Sequence, residues 1–213
     1  MTDARTQLVA DGYDAIGDTF AEWRELIVGD PREEWEAAFV ARLEDGARIL
    51  ELGCGPGTVE TKRLAERFQL TGVDISPKQI ERARAAIPEA EFVCSDFTEL
   101  ELRKGSLDGV IAFYTLNHVP RELLAPLLRS AHEWLAPDGV LCVAFGVSDN
   151  PGWTGEWLGA PTFFASFPAE TNSRLVGEAG FTIERDEIVE FTEPEGPDEG
   201  GGSAQFQWVL ARA

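Results

Sequence analysis

Short β-favouring apolar runs alternate along the chain with longer stretches whose apolar positions recur at helical spacing. The runs Ile49–Leu52, Leu70–Asp74, Glu91–Cys94, Leu107–Tyr114 and Val140–Phe145 read as strands. Between them, Thr58–Phe68 places Val59, Leu64, Ala65 and Phe68 on one side of a helix. A second helix opens at Ser76 as N-cap, with Pro77 at its first position, Gln79 completing a capping box, and Ile80, Ala83 and Ile87 as the buried stripe. A third carries Leu124, Leu127, Leu128, Ala131 and Leu135 at core spacing, and Pro126 sets its start near Leu124 or kinks it there. Strands alternating with helices predict a parallel sheet covered on both faces.

The flanks read differently. From Thr2 to Leu43 the pattern predicts a two-helix cap, with Phe20, Trp23 and Ile27 on one face, Trp35, Phe39 and Leu43 on another, and Asp30-Pro31 between. From Ser148 to Pro168 tryptophans, phenylalanines and prolines sit among small residues without a clear period. Ala169–Ala179 then reads as a helix stopped by Gly180, and Phe181–Phe191 and Ala204–Ala211 as two antiparallel strands. Glu193–Ser203 between them is a flexible glycine- and proline-rich link. The expected fold is one α/β domain over 1–213: a doubly wound, seven-stranded, mostly parallel sheet with an antiparallel last strand. Its parts are a helical cap (1–46), a nucleotide-binding half (47–147), an aromatic insertion (148–168) and a C-terminal helix with a β-hairpin (169–213).

Composition narrows the setting. Apolar residues at 44% and charged ones at 26% are globular values, and 213 residues bury a core without staples. Val140–Val147, the longest apolar run, is far short of a membrane span, and Met1–Leu8 carries no signal-peptide core. Cys54, Cys94 and Cys142, each in or beside a strand, read as buried, reduced thiols and point to the cytoplasm. Their spacing offers no zinc site and no C-x-x-C pair. With 38 acids against 18 bases, the surface would repel a phosphate backbone, which disfavours nucleic acid and anionic membranes as partners. A solvated surface and adaptation to high salt both fit the acidic surplus.

The chemistry concentrates in Ile49-Leu50-Glu51-Leu52-Gly53-Cys54-Gly55-Pro56-Gly57. A buried strand breaks here into a turn made almost wholly of backbone, and the next helix opens with its free N–H groups facing the same crevice. The pattern is G-x-G-x-G: Thr58 stands where a dinucleotide fingerprint has its third glycine. Glu51 would repel a pyrophosphate but suits a ligand carrying an ammonium group. Twenty-one residues beyond Gly53, Asp74 ends the second strand, where a carboxylate can accept both hydroxyls of a ribose.

An acid followed by three alternating glycines resembles the first motif of the class I S-adenosylmethionine-dependent methyltransferases, and the likeness continues from Ile49 through Phe145. It implies the strand order 3-2-1-4-5-7-6 and S-adenosylmethionine as cofactor, with S-adenosylhomocysteine as product. The expected cofactor residues are Tyr13, Glu51, Gly53, Cys54, Gly55, Gly57, Asp74, Ile75, Asp96, Phe97 and Phe113. Of these, Asp96 is assigned to the adenine amino group by resemblance alone, and Tyr13 either closes over the cofactor or packs the cap onto the sheet.

The turn after the fourth strand, Phe113-Tyr114-Thr115-Leu116-Asn117-His118, is where the resemblance puts the transferable methyl group. His118 is the general-base candidate, alternatively a brace for the turn, with Tyr114 as a second catalytic candidate and Asn117 facing the acceptor. His132 reads as structural. Trp153, Trp157, Phe163 and Phe164, with Phe167, are candidates for an aromatic lid over the acceptor, the alternatives being a satellite core or a dimer contact. The expected activity is metal-independent methyl transfer to an oxygen, nitrogen or sulfur of a small molecule, by a monomer or homodimer. An NAD(P)-dependent oxidoreductase would share the crevice and Asp74, but Thr58, Glu51 and the absence of a Y-x-x-x-K pair oppose it. A non-catalytic S-adenosylmethionine-binding module would keep Glu51, Asp74 and Asp96 without an acceptor pocket.

Overall fold

A computed structural model describes residues 3–17, 19–194 and 202–213. The seven-stranded sheet comprises β1 (Arg48–Leu52), β2 (Gln69–Asp74), β3 (Glu91–Cys94), β4 (Leu107–Ala112), β5 (Leu135–Gly146), β8 (Thr182–Thr192) and β9 (Ser203–Arg212), in the order β3-β2-β1-β4-β5-β9-β8. All pairings from β3 to β5 are parallel, whereas β9 runs antiparallel to both its neighbours. This is the expected topology, the last two strands entering the sheet in reverse order. Helices α4 (Val59–Arg67), α5 (Pro77–Ala86), α6 (Arg121–Trp134) and α7 (Ala169–Glu178) supply the connections. Of the glycine-rich link between β8 and β9, 195–201 lie outside the described residues; Glu193 N–H donates to the Gly202 carbonyl at 3.0 Å.

The central strands β1, β4 and β5 are apolar on both faces. One face buries Leu50, Val110, Leu141 and Val143 against Leu124, Leu128 and Ala131 of α6, and the other buries Ile49, Ile111, Cys142 and Ala144 against Trp35 and Phe39. Pro126 lies inside α6, which nonetheless begins five residues earlier, at Arg121. β5 starts at Leu135, which the sequence pattern places on the preceding helix, and its register against β4 shifts between Leu107 and Gly109, so Ala136–Gly139 is carried within the strand. On α4 the buried positions are Thr61 and Leu64, with Phe68 closing the helix, whereas Val59 is exposed beside the glycine loop.

Three further expectations are corrected. The cap has three helices, α1 (Ala4–Ile16), α2 (Thr19–Glu25) and α3 (Arg32–Val40), because Gly17 in a left-handed conformation breaks the first expected helix after Ile16. The aperiodic aromatic insertion is a β-hairpin, β6 (Asn150–Trp157) and β7 (Ala160–Ser166), forming its own two-stranded antiparallel sheet. Its turn needs Leu158 and Gly159 at positive φ, a two-residue connection that bulky Leu158 disguises in sequence. Cys54 and Cys142 are buried as expected, but Cys94, at the end of edge strand β3, is exposed. Among the described residues no helix is long and apolar enough to cross a membrane.

Gly57 shows how the loop meets the sheet layer. Its φ is +75°, and a Cβ there would stand 3.1 Å from Ala83 Cα and Ile87 Cδ1 of α5. Gly57→Ala should therefore lower the urea midpoint with the slope unchanged, by about 1–3 kcal/mol from combined overpacking and backbone strain. An unchanged midpoint would show that α5 yields without penalty.

Candidate functional site

The carboxyl ends of β1, β2 and β4 meet at a crevice, and the glycine loop forms its floor. Gly53 and Cys54 both donate to the Val73 carbonyl, at 2.7 and 3.1 Å, folding the chain back over the end of β2. Gly55 N–H donates to Asp74 Oδ2 at 2.9 Å, and Ser76 N–H donates to Oδ1 at 2.9 Å. A Cβ on Gly53, whose φ is +69°, would fall 2.3 Å from Thr115 Oγ1 in the turn after β4. Thr58 and Thr61 cap α4 reciprocally, and the Thr61 hydroxyl donates to Glu51 Oε1 at 3.1 Å.

Two cavities join at this crevice. The first, about 110 Å³, is narrow because Tyr13, Phe20 and Arg24 of the cap close over it; it reaches from Glu51, Gly53 and Gly55 to Asp74, Ile75, Asp96 and Phe97. The second, about 720 Å³, is a bowl walled by Phe20, Trp23, Asn117, Trp153, Trp157 and Phe164. Tyr13, Phe20, Arg24, Arg32, Tyr114 and His118 line both.

Electrostatics distinguish the ends of the first cavity. Burial raises the Glu51 carboxyl to about 8, outweighing the Thr61 hydrogen bond and nearby Arg32, and Glu51 Oε2 is buried without a partner. Arg32 Nε is likewise buried without a partner. An orphaned acid beside an orphaned guanidinium nitrogen matches the ammonium and carboxylate of an α-amino acid. Asp74 is also pushed up by burial, against the backbone N–H groups it accepts. Its two oxygens keep free lone pairs for hydroxyl donors. Asp96 is buried, its Oδ1 accepting from Thr98 N–H at 2.9 Å and the Thr98 hydroxyl at 2.7 Å. Ile75 and Phe97 give that end apolar walls. The set fits an amino acid joined to a nucleoside, which is the outline of S-adenosylmethionine.

Where the cavities join, His118 is buried and bonded on both ring nitrogens. Nδ1 lies 2.8 Å from the Phe163 carbonyl and Nε2 lies 3.0 Å from the Tyr13 hydroxyl. Burial lowers its pKa to about 4, against the upward pull of the Phe163 carbonyl. The Tyr114 hydroxyl donates to Asp30 Oδ1 at 2.8 Å, and the ring, at φ +57°, stacks beneath the Arg32 guanidinium at 4.8 Å. Tyr114 thus holds the cap to the turn while facing both cavities.

Of the expected cofactor residues, all but Gly57 line the first cavity; Gly57 is turned toward α5, as described above. Asn117, Trp153, Trp157 and Phe164 line the bowl. Phe163 does not: strand alternation sends its side chain into a small core with Val9, and only its carbonyl reaches the site. Phe167 is also outside, under the Arg121 guanidinium. His132 packs edge-on against Phe181, away from both cavities. Sequence reasoning missed Arg24, Arg32, Phe20 and Glu60. Arg24 is paired to Glu60, whose carboxyl, despite burial, the Thr58 hydroxyl and Arg24 hold at about 2. The signal was present in the cap, where Phe20, Trp23 and Ile27 share a face that turns toward a cavity rather than a core.

A methyltransferase domain family matches residues 49–139. Over that segment the chain is similar to methyltransferase domains, and its motif and sheet order are those expected from the class I S-adenosylmethionine-dependent methyltransferases. A trans-aconitate 2-methyltransferase from Enterobacter sp. (strain 638) is 37% identical over 132 residues, 58% of this chain and 50% of that protein. The chain thus matches about half the length of that curated relative. The fold is shared with an S-adenosylmethionine-dependent methyltransferase from Methanosarcina mazei, with a TM-score of 0.70 at 17% identity over 82% of this chain and 96% of the other. It is shared also with the Burkholderia thailandensis 1,6-didemethyltoxoflavin-N1-methyltransferase, solved with 1,6-didemethyltoxoflavin and S-adenosylhomocysteine bound, with a TM-score of 0.62 at 21% identity over 100% of this chain and 91% of that one. The residues gathered in the first cavity fit S-adenosylmethionine, the cofactor on which the Methanosarcina mazei protein is described as dependent. The cap and the β6–β7 hairpin, which wall the bowl, lie outside the matched family segment.

Glu51 provides a direct reading of cofactor docking. Below about pH 8 the free protein holds a proton on Glu51, and an ammonium placed against Oε2 favours the carboxylate, so binding expels that proton. Calorimetry with S-adenosylhomocysteine in buffers of different ionisation enthalpy should show release of most of one proton near pH 7 and none above about pH 9. Buffer-independent heats near neutrality would place the ammonium elsewhere.

Proposed function

We propose that this chain transfers a methyl group from S-adenosylmethionine to a small molecule held in the aromatic bowl. The observation that carries the reading is the junction of the cavities: a crevice whose groups match the cofactor opens, at Tyr13, Tyr114 and His118, onto a separate cavity with its own aromatic wall. A cavity of about 720 Å³ is of the size that takes drug-sized ligands. A non-catalytic cofactor-binding module would have no use for it, and an oxidoreductase would not place buried Glu51 at its phosphate loop.

The cofactor supplies a methyl group already activated by a sulfonium. The chain then has to hold the acceptor in line and keep water out, and alignment of this kind accounts for much of the barrier. Glu51 and Arg32 anchor the amino-acid end, Asp74 the ribose hydroxyls and Asp96 the base. Phe113 and Tyr114 close the middle. Because Tyr13, Phe20 and Arg24 sit over the narrow cavity, the first two cap helices give way as the cofactor enters. Rings of Trp153, Trp157 and Phe164 cover the acceptor and make the site dry.

The acidic surface supports a small acceptor over a nucleic acid. Trans-aconitate, which the curated relative's name carries, belongs in any acceptor screen. The shared segment holds the cofactor half, however, so the name transfers cofactor better than acceptor.

Calorimetry should show binding of S-adenosylmethionine and S-adenosylhomocysteine and negligible heat with NAD; heat with NAD alone would overturn the assignment. Asp74→Ala removes charge-assisted bonds of about 1.5–3 kcal/mol each and should weaken cofactor binding more than tenfold. An unchanged affinity in a folded variant would remove Asp74 from the site.

A further inference from the structure

The contacts of His118 settle which way the hydrogens run. A carbonyl only accepts, so Nδ1, 2.8 Å from the Phe163 oxygen, carries the ring proton. The imidazole is neutral near pH 7, so Nε2 carries a lone pair and the Tyr13 hydroxyl must donate to it at 3.0 Å. The Tyr13 oxygen has then spent its hydrogen, and only lone pairs remain on the side that faces the two cavities. A second acceptor waits in the bowl: Asn117 Oδ1 is buried and has no donor. Arg24 is engaged with Glu60, and Arg32 is held by Asp30 through Nη2 while its unpartnered Nε is the donor assigned above to the cofactor's carboxylate, so the wall formed by Tyr13 and Asn117 offers acceptors. A ligand that satisfies this wall brings hydrogen-bond donors rather than a carboxylate.

The bowl also specifies shape. Phe164 stands 4.6 Å from the His118 ring at 34° and 5.9 Å from Trp153 at 30°, while Trp157 meets it edge-on at 5.7 Å. Such a wall takes a flat ring by offset stacking.

We propose that the acceptor is a flat aromatic molecule whose methyl-accepting atom is a hydroxyl or ring N–H, and that its proton leaves through the Tyr13 hydroxyl to His118 Nε2. This rests on the methyl-transfer reading above and names the substrate class of the same site. In the step, the acceptor O–H or N–H bond breaks toward the Tyr13 oxygen while the Tyr13 O–H proton passes to Nε2. The electron pair left on the acceptor forms the bond to the methyl carbon, and the carbon–sulfur pair stays on sulfur. Tyr13 ends as a neutral phenol and His118 as imidazolium. One positive charge leaves the sulfonium and one appears on His118, so the buried site holds the same net charge before and after. Tyr13 is the catalytic residue and His118 the proton's destination, held in the required tautomer by the Phe163 carbonyl.

The test uses the full chain with an acceptor array of 1-naphthol, catechol, 2-hydroxypyridine and indole as hydroxyl and ring N–H compounds, and cinnamate and thiophenol as acceptors already ionised or readily ionised. S-adenosylhomocysteine release is the readout. Turnover should fall on the first group, and Tyr13→Phe, which keeps the ring and loses the hydroxyl, should lower it by about 10²–10⁴ with S-adenosylhomocysteine affinity close to wild type. His118→Gln should lose as much if Tyr13→Phe proves unstable. Nitrogen NMR of ¹⁵N-histidine protein should show the His118 ring protonated at Nδ1 alone near neutral pH. Turnover of hydroxyl acceptors that ignores the loss of Tyr13, turnover confined to cinnamate or thiophenol, no turnover with any member, or a proton on Nε2 would each overturn the inference. Failure to bind S-adenosylhomocysteine at all would instead be a failure of the underlying reading.

Discussion

The hydrogen bond from Gly55 N–H to Asp74 Oδ2 at 2.9 Å, with those from Gly53 and Cys54 to the Val73 carbonyl beside it, organises the crevice half of the molecule. It pins a loop with little side-chain packing of its own to the end of β2. The loop's position in turn sets where α4 starts, how closely Gly57 approaches α5 and where Gly53 abuts Thr115. Asp74 is taken out of water to do this, as Glu51 is one strand away, and burial opposes ionisation of both. The free protein therefore holds two carboxyl groups that become favourable only opposite the right ligand. Stabilising a positive charge and binding two hydroxyls are what relieve them.

Legibility in the sequence followed the physics of each element. The strands from β1 to β4 and helices α4 and α5 were readable because their periods are strong and, at Ser76-Pro77, the cap is explicit. Strand order beyond local pairing came from likeness to a family, since no periodicity reports which strand neighbours which. Glu51 and Asp74 were visible as acids at strand ends, where a charge is expensive unless used. The hairpin was not readable: β6 is largely exposed and mixes glycine, tryptophan and glutamate, and its turn begins with Leu158 rather than an Asn-Gly or Asp-Gly pair. Phe163 and Phe164 looked equivalent in sequence and face opposite sides of one strand, so a single register decided which lines the bowl. The pairing of Tyr13 with His118 spans 105 residues and has no local signature.

The bowl is assembled from two parts of the chain outside the parallel strands, a helical cap before the sheet and a hairpin after β5. They are joined by aromatic contacts. Tyr13, Phe20 and Trp23 from the cap meet Trp157 from the hairpin with ring centroids 5.3–6.1 Å apart. Ring contacts of this kind are worth roughly 0.5–1.5 kcal/mol each beyond area burial. The ion pair between Arg24 and Glu60 ties the second cap helix to α4 beside the glycine loop, so the same helix borders both cavities.

The most direct measurement is a crystal structure of the chain grown with S-adenosylhomocysteine. The ammonium should lie against Glu51 Oε2, the ribose hydroxyls on Asp74, the base beside Asp96, and the sulfur at the junction facing Tyr13 and the bowl. A ligand whose ribose lies away from Asp74, or whose sulfur faces away from the bowl, would contradict this placement.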